Sequence, residues 1–280
     1  MTTEEEPAGG QRAAAQLTVP EPLFRAADSL WAPSPVAAGP WRPGLLHGGA
    51  VAALLAHLAQ RELGERPLTR ISVDFLGPQP AQPLAAATRT VRAGRSFGLV
   101  DVLLTADGTD IARASALGVR DAATALPRLA QEPPMPHRTG GLLTHAPYGD
   151  EPSFNRDAVE VVVVDDPANP HGGSAWARLR TGVAGAAAPP WLAAVALADL
   201  THGIGAVLPP DRYHCVNLDL TVHLVRPPTG EWIALRARTR PGPGGTGVAE
   251  TVLMDDAGAF GTAAQTLLIT ADLADHRGVG

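Results

Sequence analysis

The chain contains no lysine; all 22 of its basic residues are arginine. A Walker-type phosphate-binding lysine, a pyridoxal Schiff base and any lysine nucleophile or base are thereby excluded. Cysteine is almost as scarce. Cys215 stands alone, so neither an intrachain disulfide nor a multi-cysteine zinc site can form. The nine histidines are scattered and show no H-x-x-x-H pair, so no metal is expected. Nothing in the residue pattern calls for a cofactor. Basic residues do not outnumber acidic ones, and the net charge of −6 argues against nucleic acid as a partner. Long apolar runs are also missing. The Ala-Val-Leu stretches near 50–58 and 192–200 are too short to span a bilayer and carry His57 and Asp199. The opening MTTEEEPAGG is acidic and lacks the apolar core of a secretory signal. The expectation is a cytoplasmic chain with no membrane segment.

What is present is an ordinary globular composition. The 280 residues are 45% apolar and 18% charged, enough for a large core without covalent staples. Residues 1–20 and 273–280 read as tails. Residues 121–155, rich in proline, glycine and polar side chains, read as a linker between units at 21–120 and 156–272.

The two units repeat one another. At an offset of 149, Val73 meets Val222, Pro78 meets Pro227, Arg89-Thr90 meets Arg238-Thr239, Gly98 meets Gly247 and Asp107 meets Asp256. The register runs for about 45 residues without a gap, a signature of internal duplication. Each unit reads as extended pieces (23–32; 157–165 and 174–182), an apolar helix (Gly49–Leu63; Trp191–Gly203) and a meander. The strands of the meander fall near 70–76, 84–92, 98–106 and 110–119, echoed at 216–225, 232–240, 247–254 and 259–270. Both helices are apolar on nearly every face and should be buried. A buried helix followed by an antiparallel meander, twice in one chain, is the pattern of an α+β double hotdog, with the two sheets joined edge to edge.

Two tempting motifs fail on context. Gly94-Arg95-Ser96-Phe97-Gly98 matches a nucleophile elbow, but LVDVLLTA follows and alternates as a strand, where a helix is required. Gly242 to Gly247 matches G-x-G-x-x-G, again with a strand following. Both read as hairpin turns.

A more promising set is divided between the units. His47-Gly48-Gly49 precedes the first helix, whose N-terminus offers unpaired N–H groups to a substrate oxygen. Asp199 lies within the second apolar helix, where a carboxylate needs partners. Its counterpart by local match, Leu55-Ala56-His57-Leu58 against Leu197-Ala198-Asp199-Leu200, is His57. If the helices lie antiparallel, Asp199 faces the glycines and one composite site per chain results. Gln265 interrupts an apolar strand where the repeat has Ala116, and Asn217 begins a strand where the repeat has Leu68. Such amides usually have a partner.

Gly39-Pro40-Trp41 leading into His47-Gly48-Gly49, then Asp199, Asn217-Leu218-Asp219 running into Arg226-Pro227, and Gln265 together resemble the TesB-like double-hotdog acyl-CoA thioesterases over about residues 20–270. The resemblance implies hydrolysis of acyl-CoA by water activated at an Asp, a Ser/Thr and a Gln. Asp199 and Gln265 match. The Ser/Thr position falls on Asn217, with Thr221 as an alternative donor four residues along the same strand face. His47, Gly48 and Gly49 would polarise the carbonyl. The substrate partner is then acyl-CoA, without a cofactor or metal, and the chain is expected to self-associate. Competing readings are a non-hydrolytic acyl-CoA or acyl-carrier binding protein, favoured by the Asn217 departure, and a hotdog hydratase or dehydratase pairing His47 or His57 with Asp199.

Overall fold

The computed structural model describes residues 21–40, 42–122, 124, 132–144, 151–185 and 187–271. The expected tails, Trp41 and parts of the expected linker lie outside the described residues. The first half runs β1 (Phe24–Ala27), β2 (Leu30–Pro33), α1 (Gly48–Leu63), β3 (Leu68–Phe75), β4 (Leu84–Ala93), β5 (Phe97–Ala106) and β6 (Thr109–Val119). The second runs β7 (Leu142–Thr144), β8 (Val159–Val164), β9 (Gly173–Leu179), α2 (Pro190–Ala198), α3 (Thr201–Ile204), β10 (Tyr213–Asn217), β11 (Asp219–Leu224), β12 (Trp232–Pro241), β13 (Thr246–Asp255) and β14 (Gly258–Ala271).

The strands form one antiparallel sheet in the order β1-β2-β4-β5-β6-β3-β11-β14-β13-β12-β9-β8-β7, with β10 also on β14. Its middle is the pairing of β3 with β11, where Ser72 lies opposite Thr221. Those two residues are 149 apart, the repeat offset itself. A residue can pair with its own copy across antiparallel strands only on a twofold axis, so the pseudo-symmetry axis of the duplication passes between Ser72 and Thr221. Both glycine-rich stretches, Gly94 to Gly98 and Gly242 to Gly247, are hairpin turns. Gly94 N–H donates to the Phe97 carbonyl at 3.0 Å, and Gly242 N–H donates to Thr246 at 2.7 Å. The Asp107-Gly108 turn has φ of +48° and +78°, the geometry that suits a two-residue hairpin loop.

The helices sit inside this curved sheet. α1 packs against β3 to β6, α2 against β9 and β11 to β13, and the two helices touch each other. Alanine-rich sequence favours α1, His47 caps its start, and it ends at Gly64 with φ +60°. Pro190 opens α2, where its missing N–H costs nothing. Leu54, Leu55, Leu192 and Leu197 are fully buried, each worth roughly 1.5–3 kcal/mol relative to exposure. None of the described helices is long and apolar enough to cross a membrane.

Three expectations need correction. The second helix does not run unbroken from Trp191 to Gly203; α2 stops at Ala198 and α3 resumes at Thr201. The strand expected at 216–225 is interrupted at Leu218. From Asn217↔Leu267 to Thr221↔Ala264 this chain advances four residues while β14 advances three, which is a β-bulge. The linker region does more than connect. β7 joins the sheet edge, and residues 132–138 strap the outer face of the second half. There Met135 packs over Val164, Trp176, Ala234 and Met254, and the Trp176 indole N–H donates to the Pro136 carbonyl at 2.8 Å.

Arg226, one of the residues that carry the resemblance, is committed to the fold. Its guanidinium reaches the fully buried Asp255 carboxylate through two bonds of 2.6 and 2.7 Å. Burial alone would raise the Asp255 pKa. Arg226 and the Thr229 and Ala257 N–H groups overcome it and hold the acid at about 2. Because the folded value is depressed, the stabilisation is complete above the ordinary Asp range and is lost as pH falls through that range towards 2. Arg226→Ala should therefore cost about 3 kcal/mol or more in denaturant titration at neutral pH. The deficit relative to wild type should shrink on acidification. A midpoint unchanged at neutral pH would contradict this role.

Candidate active site

The site forms where α2 ends against the start of α1. Asp199 occupies the C-cap of α2 with φ −67° and ψ −16°. Its carboxylate rests on the bare α-carbon of Gly48: a β-carbon there would lie 2.7 Å from Oδ2 and 3.1 Å from Oδ1. One residue on, a β-carbon at Gly49 would lie 2.5 Å from the Ala196 carbonyl oxygen. The glycine pair thus allows the α1 terminus to close on α2, and its partial positive charge falls on the acid. The Asp199 side chain is 5% exposed.

Two amides reach Oδ1 of Asp199. Asn217 Nδ2 donates at 2.6 Å and Gln265 Nε2 at 3.1 Å. Gln265 Nε2 also donates to the Asp199 main-chain carbonyl at 3.2 Å, and Gln265 Oε1 accepts from the His202 N–H at 3.1 Å. His47 lies on the other side. Its Nδ1 is 3.2 Å from Asp199 Oδ2 and 3.0 Å from the Gly49 nitrogen. An imidazole nitrogen carries at most one proton. With Nδ1 bare it accepts the Gly49 N–H. With Nδ1 protonated it donates to Asp199 and leaves the Gly49 N–H free. The Gly48 N–H has no partner among the described residues.

The expected residues therefore converge, with one exception. Asp199, Asn217, Gln265, His47, Gly48 and Gly49 meet; Thr221 does not. Its hydroxyl donates to Ser72 Oγ at 3.2 Å on the outer face of the sheet. The bulge at Leu218 reverses the side-chain alternation, so Asn217 points towards the helices and Thr221 away from them. The Asp219 carboxylate accepts the Thr266 N–H beside the bulge. His57 also lies apart, edge-on to Trp31 with ring centroids 5.6 Å apart. Burial, aided by Arg61, keeps its pKa below the ordinary imidazole value.

Two contributors escape the sequence reading. Phe154 stacks on His47 with centroids 4.4 Å apart and holds that ring against Asp199. It falls in the stretch assigned to the linker, where a single aromatic gives no periodic signal. His202 flanks the acid. Burial lowers its pKa while the nearby Asp199 charge raises it, and the balance falls below the ordinary value, so the ring is neutral near pH 7. No cluster of metal-ligating side chains occurs among the described residues. Two open grooves of about 470 and 580 Å³ lie on the outer face of the sheet and do not include Asp199. Their walls are copies of each other: Ser72, Arg89 and Asp101 in one correspond to Thr221, Arg238 and Glu250 in the other.

Two helix-filled sheet halves in one chain, with an acid of one half set on the helix terminus of the other, define a double-hotdog protein. The chain belongs to the TesB-like acyl-CoA thioesterases. The acyl-CoA thioesterase N-terminal domain family matches residues 37–119, and the C-terminal domain family matches residues 127–269. Members are thioester hydrolases. Among solved structures, a protein of Novosphingobium aromaticivorans provisionally designated a thioesterase is similar with TM-score 0.69 and 21% identity, covering 88% of this chain and 98% of that one. A hot dog fold protein of unknown function from Alicyclobacillus acidocaldarius gives 0.68 and 17%, covering 89% and 96%. The acyl-CoA thioesterase II TesB2 of Mycobacterium marinum gives 0.62 and 18%, covering 89% and 95%. At these identities the likeness speaks to fold. No curated protein matches the sequence.

Gly48→Ala separates packing from chemistry. The new methyl must displace the Asp199 carboxylate, and turnover of an acyl-CoA should fall about 10²-fold, the usual penalty for misplacing a reacting group by about 1 Å. Thr221→Val, on the outer face, should leave turnover within about twofold of wild type. A large loss in the valine variant would return Thr221 to the site.

Proposed function

We propose that the chain hydrolyses acyl-CoA thioesters to the free acid and CoA, with Asp199 as general base on a water held beside it by Asn217. The placement of the Asp199 carboxylate against Gly48, with Asn217 at 2.6 Å, carries the reading. Hydrogen-bond arithmetic divides the labour. Gln265 has both amide hydrogens on Asp199 and its oxygen on His202, so it orients the acid and has no donor left for a water. Asn217 spends one hydrogen on Asp199. Its second hydrogen and its carbonyl oxygen remain to hold a water, the task a hydroxyl would perform.

In the reaction, Asp199 takes a proton from the water as its oxygen bonds to the thioester carbon. Oδ1 already accepts two amides, so Oδ2 is the oxygen for that proton. The carbonyl oxygen gathers negative charge next to the Gly48 N–H and the positive end of α1. A protonated His47 Nδ1 bonded to Asp199 releases the Gly49 N–H as a second donor. Collapse of the tetrahedral adduct breaks the C–S bond. The CoA thiolate departs and the proton held on Asp199 passes to it or to solvent. The Asn217 departure from Ser/Thr thus preserves the water site, which weighs against a binding protein with no hydrolysis.

Asp199→Asn should lower thiol release from octanoyl-CoA about 10²-fold or more, the usual scale of general-base catalysis. CoA affinity should be unchanged. Gln265→Ala should lose less, about tenfold. Wild-type turnover in the Asp199 variant would overturn the assignment of the base. Hydration of an enoyl-CoA without thiol release would replace hydrolysis with the hydratase reading.

A further inference from the structure

The break between α2 and α3 has a complete hydrogen-bond explanation. In an unbroken helix the His202 N–H would donate to the Ala198 carbonyl, four residues back. It donates instead to Gln265 Oε1 at 3.1 Å, while Gln265 Nε2 donates to the Asp199 carbonyl at 3.2 Å. The Gln265 carboxamide is spliced into the helix ladder as a peptide group would be. This leaves the Ala198 carbonyl without its helical donor in a fully buried setting, where an unpaired carbonyl is costly. Thr201 Oγ1 donates to it at 2.7 Å, and Thr201 is 0% exposed. Threonine hydroxyls that bond a preceding helical carbonyl bend helices, and here the bend falls on Asp199.

The other half of the chain supplies the comparison. At the helix offset of 142, which sets His57 on Asp199, Ala59 takes the place of Thr201. At the sheet offset of 149, Ala116 takes the place of Gln265. There the helix runs unbroken from Gly48 to Leu63. The half that has the splice and the hydroxyl has the break and the acid.

We propose that Thr201 is a positioning residue of the hydrolytic site, its hydroxyl closing the helix ladder that Gln265 opens and so fixing the direction in which Asp199 leaves α2. The inference rests on the hydrolytic reading above and adds a residue to it.

The test is a set of Thr201 variants assayed with octanoyl-CoA. Thr201→Ala and Thr201→Val should lower kcat about tenfold with KM within about twofold, the split expected when a base is misaimed and substrate binding is untouched. Thr201→Ser, which keeps the hydroxyl, should return kcat to within about twofold of wild type. In a Gln265→Ala background the His202 N–H can rebond the Ala198 carbonyl, so Thr201→Ala should then add little further loss. Wild-type kcat in the alanine and valine variants, a serine variant as slow as valine, or losses that multiply fully in the double variant would each overturn the proposal. If Thr201→Ala does not fold, the double variant must fold, because its ladder can reclose; an unfolded double variant also overturns it. Asp199→Asn, run in parallel, separates the two levels. Its activity at wild-type rate sinks Asp199 as the base on which this inference rests, whereas an inactive Asp199 variant beside a fully active Thr201→Ala sinks only the role of Thr201.

Discussion

One carboxylate, nearly closed off from water and laid on a helix terminus of the opposite repeat, sets the demands that the surrounding structure meets. Removing an unpaired carboxylate from solvent costs several kcal/mol. Against that stand two amide donors on Oδ1, each worth roughly 1.5–3 kcal/mol to a charged group. The α1 terminus adds up to about 2 kcal/mol when partly buried. These terms are comparable, so the acid is tolerated only while all its partners are in place. Gly48 and Gly49 have no β-carbons because the terminus must come within contact of α2. Leu218 is bulged because Asn217 must face inward. The helix is broken because Gln265 must reach both the carboxylate and the backbone behind it.

Duplication explains why this arrangement occurs once. The sheet halves repeat closely, to the point that Ser72 and Thr221 meet on the axis between them, and the grooves on the outer face repeat with them. The helices and the residues facing them do not. The mirror position has His57 for Asp199, Leu68 for Asn217 and Ala116 for Gln265, and Leu68 and Ala116 are buried as ordinary core. Opposite it, Pro190 and Trp191 begin α2 in place of glycines. A twofold scaffold offers two equivalent places for a site. Here one was kept polar, and at the other the two amide positions were filled with apolar side chains, which contribute to stability without the cost of buried polar groups.

Much of this was legible in the sequence because it rests on local contrast. A glutamine or aspartate in an apolar run stands out, paired glycines before a helix stand out, and a gap-free repeat places the strands to within a residue or two. The features that escaped depend on partners distant in sequence. Asp199-Leu200-Thr201 contains neither glycine nor proline, and the helix breaks there because a side chain from position 265 enters it. Leu218 is an unremarkable strand residue, and its bulge exists only relative to the register of β14. A one-residue slip exchanges the faces of a strand, so counting by twos from Asn217 put Thr221 on the wrong side. Phe154 and the strap at 132–138 were hidden by proline-rich composition, which suggests a loop whether or not the loop packs.

The Asn217 departure shows how chemistry and register constrain each other. A serine or threonine at this position has one hydroxyl, which can donate to the carboxylate or to a water but not to both at once. An asparagine has two amide hydrogens and an acceptor, so it can hold Asp199 at 2.6 Å and still keep one hydrogen and its carbonyl oxygen for a second partner. Its side chain is also longer by one heavy-atom shell, and that length has to be accommodated between α2 and the sheet. The bulge at Leu218 ends β10 at Asn217 and sets the residue at a strand terminus, outside the regular ladder of β11. Thr221, three strand positions past that irregularity, could not substitute for it by a change of rotamer. It would need the register of β11 on both β3 and β14 to shift, which would move Leu220, Val222 and Leu224 out of the core together.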